Sequence, residues 1–164
     1  ELMAHTHSNL YDLPTAGLRF FTVYGPWGRP DMALFLFTDA ILRGHVMKIF
    51  GNGEMRRDFT YVDDIVDAYL HLAEFADRPE HRGRGFNFSD ENPLTVMEIY
   101  NFCCSAAGKP GTEPLILDHA VGEIHDQYLD SSRARDELGW KVSVGLEASL
   151  ERTYAWYADL LGAG

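Results

Sequence analysis

The sequence is short of cysteine, of positive charge and of long apolar runs, and each shortage removes a class of function. Its two cysteines, Cys103 and Cys104, are neighbours. A vicinal pair is poorly placed to staple a small fold, so a reduced, cytoplasmic setting is expected rather than a secreted one. Fourteen Lys and Arg stand against twenty-five Asp and Glu, a net charge of −11. That balance argues against nucleic acid or an anionic membrane as the main partner, while leaving room for a local basic pocket around a small anion. No apolar run approaches the roughly eighteen residues of a membrane span, and no signal-peptide pattern is visible. Internal repeats, low-complexity segments and linkers are lacking as well.

The opening run ELMAHTHSNLYDL has helical spacing but neither an initiating Met nor a capping residue ahead of it. Leu2, Met3 and Leu10 form one apolar edge, as in the later part of a longer helix. The expectation is a fragment that begins inside an element.

What is present suits a globular domain: of 164 residues, 46% are hydrophobic and 13% aromatic, enough for a sizeable core. After the helix of residues 1–12 and its exit at 13–17, residues 18–24 form a nearly continuous apolar run. Such a run predicts a strand covered on both faces. Helical spacing returns over 32–42 and ends at Gly44. Strands are expected at 46–50, closed by Gly51-Asn52-Gly53, and at 58–62. Asp63 or Asp64 then caps a helix whose apolar stripe is Ile65, Val66, Tyr69, Leu70, Leu72 and Ala73. A strand at 86–88 follows. Thr95 and Glu98 form a capping box for a helix to about Ala107. A small strand at 115–117, a helix at 131–138 stopped by Gly139, and an amphipathic helix at 146–161 complete the chain. Strands and helices alternate, so the fold class is α/β.

One stretch asks for more than punctuation. LRFFTVYGPWGRPDM runs from an apolar strand into a Gly-Pro turn that carries both Trp27 and Arg29. With the following ALFLFTDAILRG and IFGNGEMRRDFTYVDDIVDAYLHL, it closely resembles the second half of the extended short-chain dehydrogenases/reductases that act on sugar nucleotides. The match keeps order and spacing from residue 1 to about 74 and is closest in pattern to the UDP-glucuronate 4-epimerase branch. FNFSDENPLTVMEI continues it. The tail AVGEIHDQYLDSSRARDELGW, by contrast, resembles 4,6-dehydratases of the CDP-glucose type.

The resemblance implies an NAD-dependent epimerase or dehydratase, with NAD held on a glycine-rich turn of an N-terminal Rossmann domain and a Tyr-x-x-x-Lys pair as catalytic base. Neither motif occurs in these 164 residues: no tyrosine has a lysine four positions later, and no G-x-x-G-x-x-G is present. Residues 1–164 therefore read as the C-terminal, substrate-binding portion, with the Tyr-Lys pair just upstream of Glu1. A homodimer, built through a bundle that includes the Tyr-Lys helix, is implied for the longer protein.

Gripping a nucleotide diphosphate in an acidic protein calls for a few placed arginines, because a guanidinium fork matches phosphate oxygens. By resemblance Arg57 is that arginine; otherwise Arg56 and Arg57 are solvated strand-edge charges. Phe50, ending a strand before the GNG turn, stacks on the base in the family, or is a core phenylalanine. Asp31 and Met32 align with residues on the nucleotide side of the cleft, and Asp31 equally fits a helix N-cap. Thr22 matches a sugar-binding threonine of the glucuronate branch, though a satisfied strand residue would look the same. Arg29 is expected to face the glucuronate carboxylate or its surroundings, a charge that a neutral hexose does not require. Phe20 and Val23 flank the nicotinamide in the family, or simply fill the sheet core. Where relatives carry Arg-x-Gly-Asp, this chain has Ala120-Val121-Gly122-Glu123, which leaves Glu123 to reach the ribose and Arg133 or Arg135 to replace the lost arginine.

Other features read as structure. His5 and His7 are two apart and point different ways on a helix, so no metal site is expected. Cys103 and Cys104 are small apolar filling, and Tyr154, Trp156 and Tyr157 pack the last helix. Three functions fit: a 4-epimerase, a 4,6-dehydratase, or a non-catalytic nucleotide-sugar-binding domain.

Overall fold

The computed structural model describes residues 1–75, 77–117 and 124–162. Helix α1 (Leu2–Tyr11) opens the chain and leaves at Asp12 in a left-handed conformation, φ 51°. It buries only Ser8, while Leu2, Met3, Leu10 and Tyr11 are exposed. The exit is shorter than expected, because strand β1 (Ala16–Arg19) already begins at Ala16.

The apolar run at 18–24 does not make one strand. β1 ends at Arg19, and a separate strand, β2 (Thr22–Tyr24), starts three residues later. Between them Val23 N–H donates back to Phe21 O at 3.1 Å, a tight turn that moves the chain from one parallel pair to another. Phe20 and Phe21 are consequently 37% and 39% exposed rather than covered on both faces. A kink between two phenylalanines leaves no mark in a hydropathy pattern.

Helix α2 (Ala33–Arg43) begins with Met32 as N-cap, so Asp31 is not the capping residue. It ends where Gly44, φ 70°, lets Gly44 and His45 N–H groups donate to Ile41 and Ala40 carbonyls. Strand β3 (Lys48–Phe50) is shorter than the 46–50 reading. It is followed by β4 (Arg56–Arg57), which the alternation at 58–62 did not predict, and β5 (Phe59–Tyr61). Helix α3 (Val62–Phe75) takes Asp63 and Asp64 into its first turn instead of using either as a cap. Of its expected stripe only Ile65 and Leu72 are buried, together with Ala68 and Asp64. Val66, Tyr69 and Leu70 are more than half exposed.

A 3-10 turn (Pro79–His81) leads to β6 (Arg84–Asn87) and β7 (Leu94–Thr95). Helix α4 (Val96–Ala106) opens on the expected capping box: Glu98 N–H donates to Thr95 Oγ1 and Thr95 N–H to Glu98 Oε2. Then come β8 (Leu115–Leu117), β9 (Asp126–Gln127), α5 (Ser132–Leu138) and α6 (Leu146–Leu160).

Parallel pairs dominate: β1 with β6, β2 with β5, and β3 with β8. A further sheet is ordered β7-β4-β9, with β4 central. Parallel pairing with intervening helices is the α/β arrangement. One core lies among α2, α4 and α6, with Phe37, Tyr100 and Leu150 buried beside Ile49 and Phe59. A second joins α3, β6 and α5 through Leu72, Phe86, Leu138 and Trp140.

Two buried aspartates tie these parts together. Asp58, just ahead of β5, accepts from Ser89 Oγ at 2.6 Å and Leu129 N–H at 2.8 Å. Asp64 Oδ1 accepts from Ser143 N–H and Oγ, while Trp140 Nε1–H donates to Asp64 O. Asp64 is therefore a tertiary fastener in the first turn of a helix, the end at which the helix dipole favours an acidic side chain.

Candidate functional site

The two halves of the quoted motif, strand and turn, surround a cavity of about 250 Å³. Phe20 and Phe21 enter it because the kink between β1 and β2 turns them out of the sheet, and Val23, Trp27, Arg29 and Met32 complete the wall. The turn itself is built for close approach. Gly25 has φ 134°, and a Cβ there would lie 2.6 Å from Val62 Cγ1, so only glycine fits. Trp27 sits at φ 60°, a left-handed conformation that an aromatic residue rarely adopts, and is 82% exposed. Its ring packs against Trp156 of α6 at 5.1 Å between centroids.

A second cavity of about 200 Å³ lies beyond Asp31. Phe50, at the end of β3, is 53% exposed and lines it with Leu36, Met47, Met55 and Val96. A flat ring at the edge of an apolar pocket suits a planar base. A wholly buried core role for Phe50 does not match this exposure.

Arg29 lines the first cavity and Asp31 the second, and the two are paired. Arg29 Nε donates to Asp31 Oδ1 at 3.0 Å, and Nη2 donates to Oδ2. This bidentate hydrogen bond holds the Asp31 carboxyl below the usual carboxylate range and raises the guanidinium. Both side chains face solvent. The fork geometry, rather than burial, fixes the Arg29 side chain and links the wall of the first cavity to that of the second.

Thr22 is placed differently. Opposite Phe59 in the β2–β5 register, it is half-buried beside a crevice shared with Tyr24, Gly28, Thr153 and Tyr157. That crevice has about 10 Å³, room for roughly one water.

Arg57 is not a solvated edge charge, since β4 is the central strand of its sheet. Nη1 donates to Arg56 O at 2.7 Å and His125 O at 3.1 Å, and Nη2 to Ile124 O at 2.7 Å. The guanidinium thus fastens β4 to the 124–125 segment and does not line either cavity. Glu123 lies outside the described residues. Arg135 pairs with Glu91, and Arg133 lies 3.7 Å from Glu137, both away from the two cavities.

The structure therefore brings Phe20, Val23, Arg29 and Met32 to one cavity and Asp31 and Phe50 to its neighbour. Phe21 and Trp27 join them without an assignment from the sequence. The signal for Trp27 was an aromatic residue inside a glycine-rich turn, and that for Phe21 was hidden by the kink. Among the described residues no group of three His, Cys, Asp or Glu is arranged to hold a metal ion.

Residues 1–87 match the NAD dependent epimerase/dehydratase family. The chain is 37% identical to a probable UDP-glucuronate 4-epimerase of Rhizobium meliloti (strain 1021), over 96% of this chain and 50% of that one. It is 36% identical to Protein CapI of Staphylococcus aureus, over 97% of this chain and 52% of that one. Among solved structures, the UDP-glucuronic acid 4-epimerase of Bacillus cereus, in complex with UDP-glucuronic acid and NAD, superposes with a TM-score of 0.85 at 30% identity, covering 97% of this chain and 50% of that one. This chain spans about half the length of these relatives.

Proposed function

Because this chain belongs to the NAD dependent epimerase/dehydratase family, we propose that it forms the sugar-nucleotide-binding part of a UDP-glucuronate 4-epimerase. The observation that carries the reading is the pair of adjoining cavities with the Arg29–Asp31 fork between them. One cavity offers Phe50 to a base. The other offers Arg29, with Thr22 nearby on β2, to a sugar bearing a carboxylate. Relatives named UDP-glucuronate 4-epimerase, at 35 to 37% identity, support the uronate over a neutral hexose.

The aromatic wall of Phe20 and Phe21 with Val23 is flat and apolar enough to fit a nicotinamide face. NAD, when bound, supplies hydride acceptance and return at C4 of the sugar. This chain's residues orient that carbon: Arg29 fixes the carboxylate end, and the apolar wall excludes water from the reacting face. The glycine-rich turn and the Tyr-Lys base, neither present in these 164 residues, come in this reading from another part of the protein.

As a separate polypeptide the chain is expected to bind UDP-glucuronate without converting it. Incubation with NAD and UDP-glucuronate should leave the sugar unchanged by product analysis, and formation of UDP-galacturonate by the isolated chain would overturn this division of labour. The similarity of the tail to dehydratases favours a second reading, a CDP-glucose-type 4,6-dehydratase. Preferential binding of CDP-glucose over UDP-glucuronate would select it.

A further inference from the structure

We infer that the last helix, α6, is a brace that positions the Arg29 turn, with Tyr157 as its positioning residue. Its consequence for ligand choice rests on the proposed function; the brace itself does not.

Three contacts reach from one face of α6 to consecutive parts of the β2–turn segment. Ser149 Oγ and Tyr24 Oη share a buried hydrogen bond of 2.5 Å at the end of β2. Eight residues on, the Tyr157 hydroxyl points at the carbonyls of Gly25 and Gly28, at 3.4 and 3.5 Å. Trp156 packs on Trp27, and Trp156 and Tyr157 meet edge to face at 4.8 Å. Positions 149, 153, 156 and 157 recur at helical spacing, so one face of α6 follows the turn along its length.

The Tyr157 bonds are long, yet the side chain is 3% exposed and its hydroxyl has these two carbonyls to serve. Burial raises its pKa, so it remains a donor across the physiological range. The fit is also steric: a Cβ on Gly28 would come within 3.1 Å of that hydroxyl. Trp27 meanwhile holds its left-handed backbone while mostly exposed. Such a conformation persists where surroundings over-determine it; here Trp27 packs on Trp156 and stands between Pro26 and Gly28, with Tyr157 reaching the Gly25 and Gly28 carbonyls.

Two residues past Trp27 comes Arg29. With Nε and Nη2 engaged by Asp31, the Nη1 side of Arg29 is what is left for a ligand carboxylate, and such a charge-assisted contact depends on the arginine's position more than a contact with a neutral hydroxyl does. Loosening the turn should therefore weaken a uronate sugar more than a hexose.

The test is Tyr157→Phe, with Gly28→Ala as an independent way of disturbing the same contact, read by amide exchange and by ligand affinity. The amide at position 28, which donates to Gly25 O at 3.2 Å, should exchange about tenfold faster in both variants once corrected for the intrinsic rate of the residue there. Amides of α4 should keep their wild-type rates, which controls for global loss of stability. Affinity for UDP-glucuronate should fall about three- to tenfold while that for UDP-glucose changes less than twofold. Unchanged Gly28 exchange in Tyr157→Phe would overturn the brace. Faster exchange with equal effects on both sugars would overturn the positioning role. A wild-type chain that binds neither sugar would sink the proposed function and the ligand consequence together, and the exchange data would still decide whether α6 holds the turn.

Discussion

Arg29 and Asp31 are both exposed, and exposed ion pairs add little stability. Their importance lies in position: the fork ties Arg29, which lines one cavity, to Asp31, which lines the other. The hydrogen bond from Arg29 lowers the Asp31 pKa in the folded chain, so the pair is complete above the ordinary carboxylate value of 3.8 and is lost as pH falls through the lower folded value. An NMR titration of the Asp31 carboxyl should give a midpoint below 3.8 in wild type and close to it in Arg29→Ala. Asp90 behaves in the opposite sense. Partial burial, then the charges of Asp64, Asp58 and Glu91, raise its pKa. A raised acid costs stability once pH climbs above its unfolded value. Asp90→Asn should therefore raise Tm by about 2 °C at pH 7, with the gain vanishing towards pH 4 in thermal melts. Cys103 is buried and its thiol pushed up to about 12. Neither cysteine should react with a thiol reagent at pH 8 until the chain is unfolded.

At the scale of elements, what local chemistry dictates was legible and what tertiary contact dictates was not. Thr95 with Glu98 announces the start of α4, and Gly44 and Gly139 announce the ends of α2 and α5, because caps are satisfied within a few residues. Thr95→Ala should cost about 1 kcal/mol in chemical denaturation. Asp64 looked like another cap, but its partner Ser143 is seventy-nine residues away, beyond the reach of any local pattern. The run at 18–24 is similar: hydropathy cannot separate one covered strand from two strands that part at a phenylalanine pair. Strands β4, β7 and β9 have two residues each, too few to show alternation. In the candidate site, Arg29, Met32 and Phe50 were named through the resemblance, and the structure puts each of them on a cavity wall. The approach of Trp156 and Tyr157 to the turn depends on the packing of α6.

Across the whole molecule, a net charge of −11 surrounds two cavities whose described walls carry two cations, Arg29, paired with Asp31, and Lys48. That contrast favours a compact anionic ligand held by geometry over a polyanion held by field strength. It also leaves the α/β frame to place the two cavities side by side: β2 and its turn bound one, while α2 and β3 bound the other. The most direct measurement is calorimetric titration of this chain with UDP-glucuronate and UDP-glucose, repeated for Arg29→Ala. The account predicts saturable binding of both, tighter for UDP-glucuronate, with the preference reduced about tenfold or more in Arg29→Ala. No binding of UDP-glucuronate, or a preference that survives loss of Arg29, would contradict it.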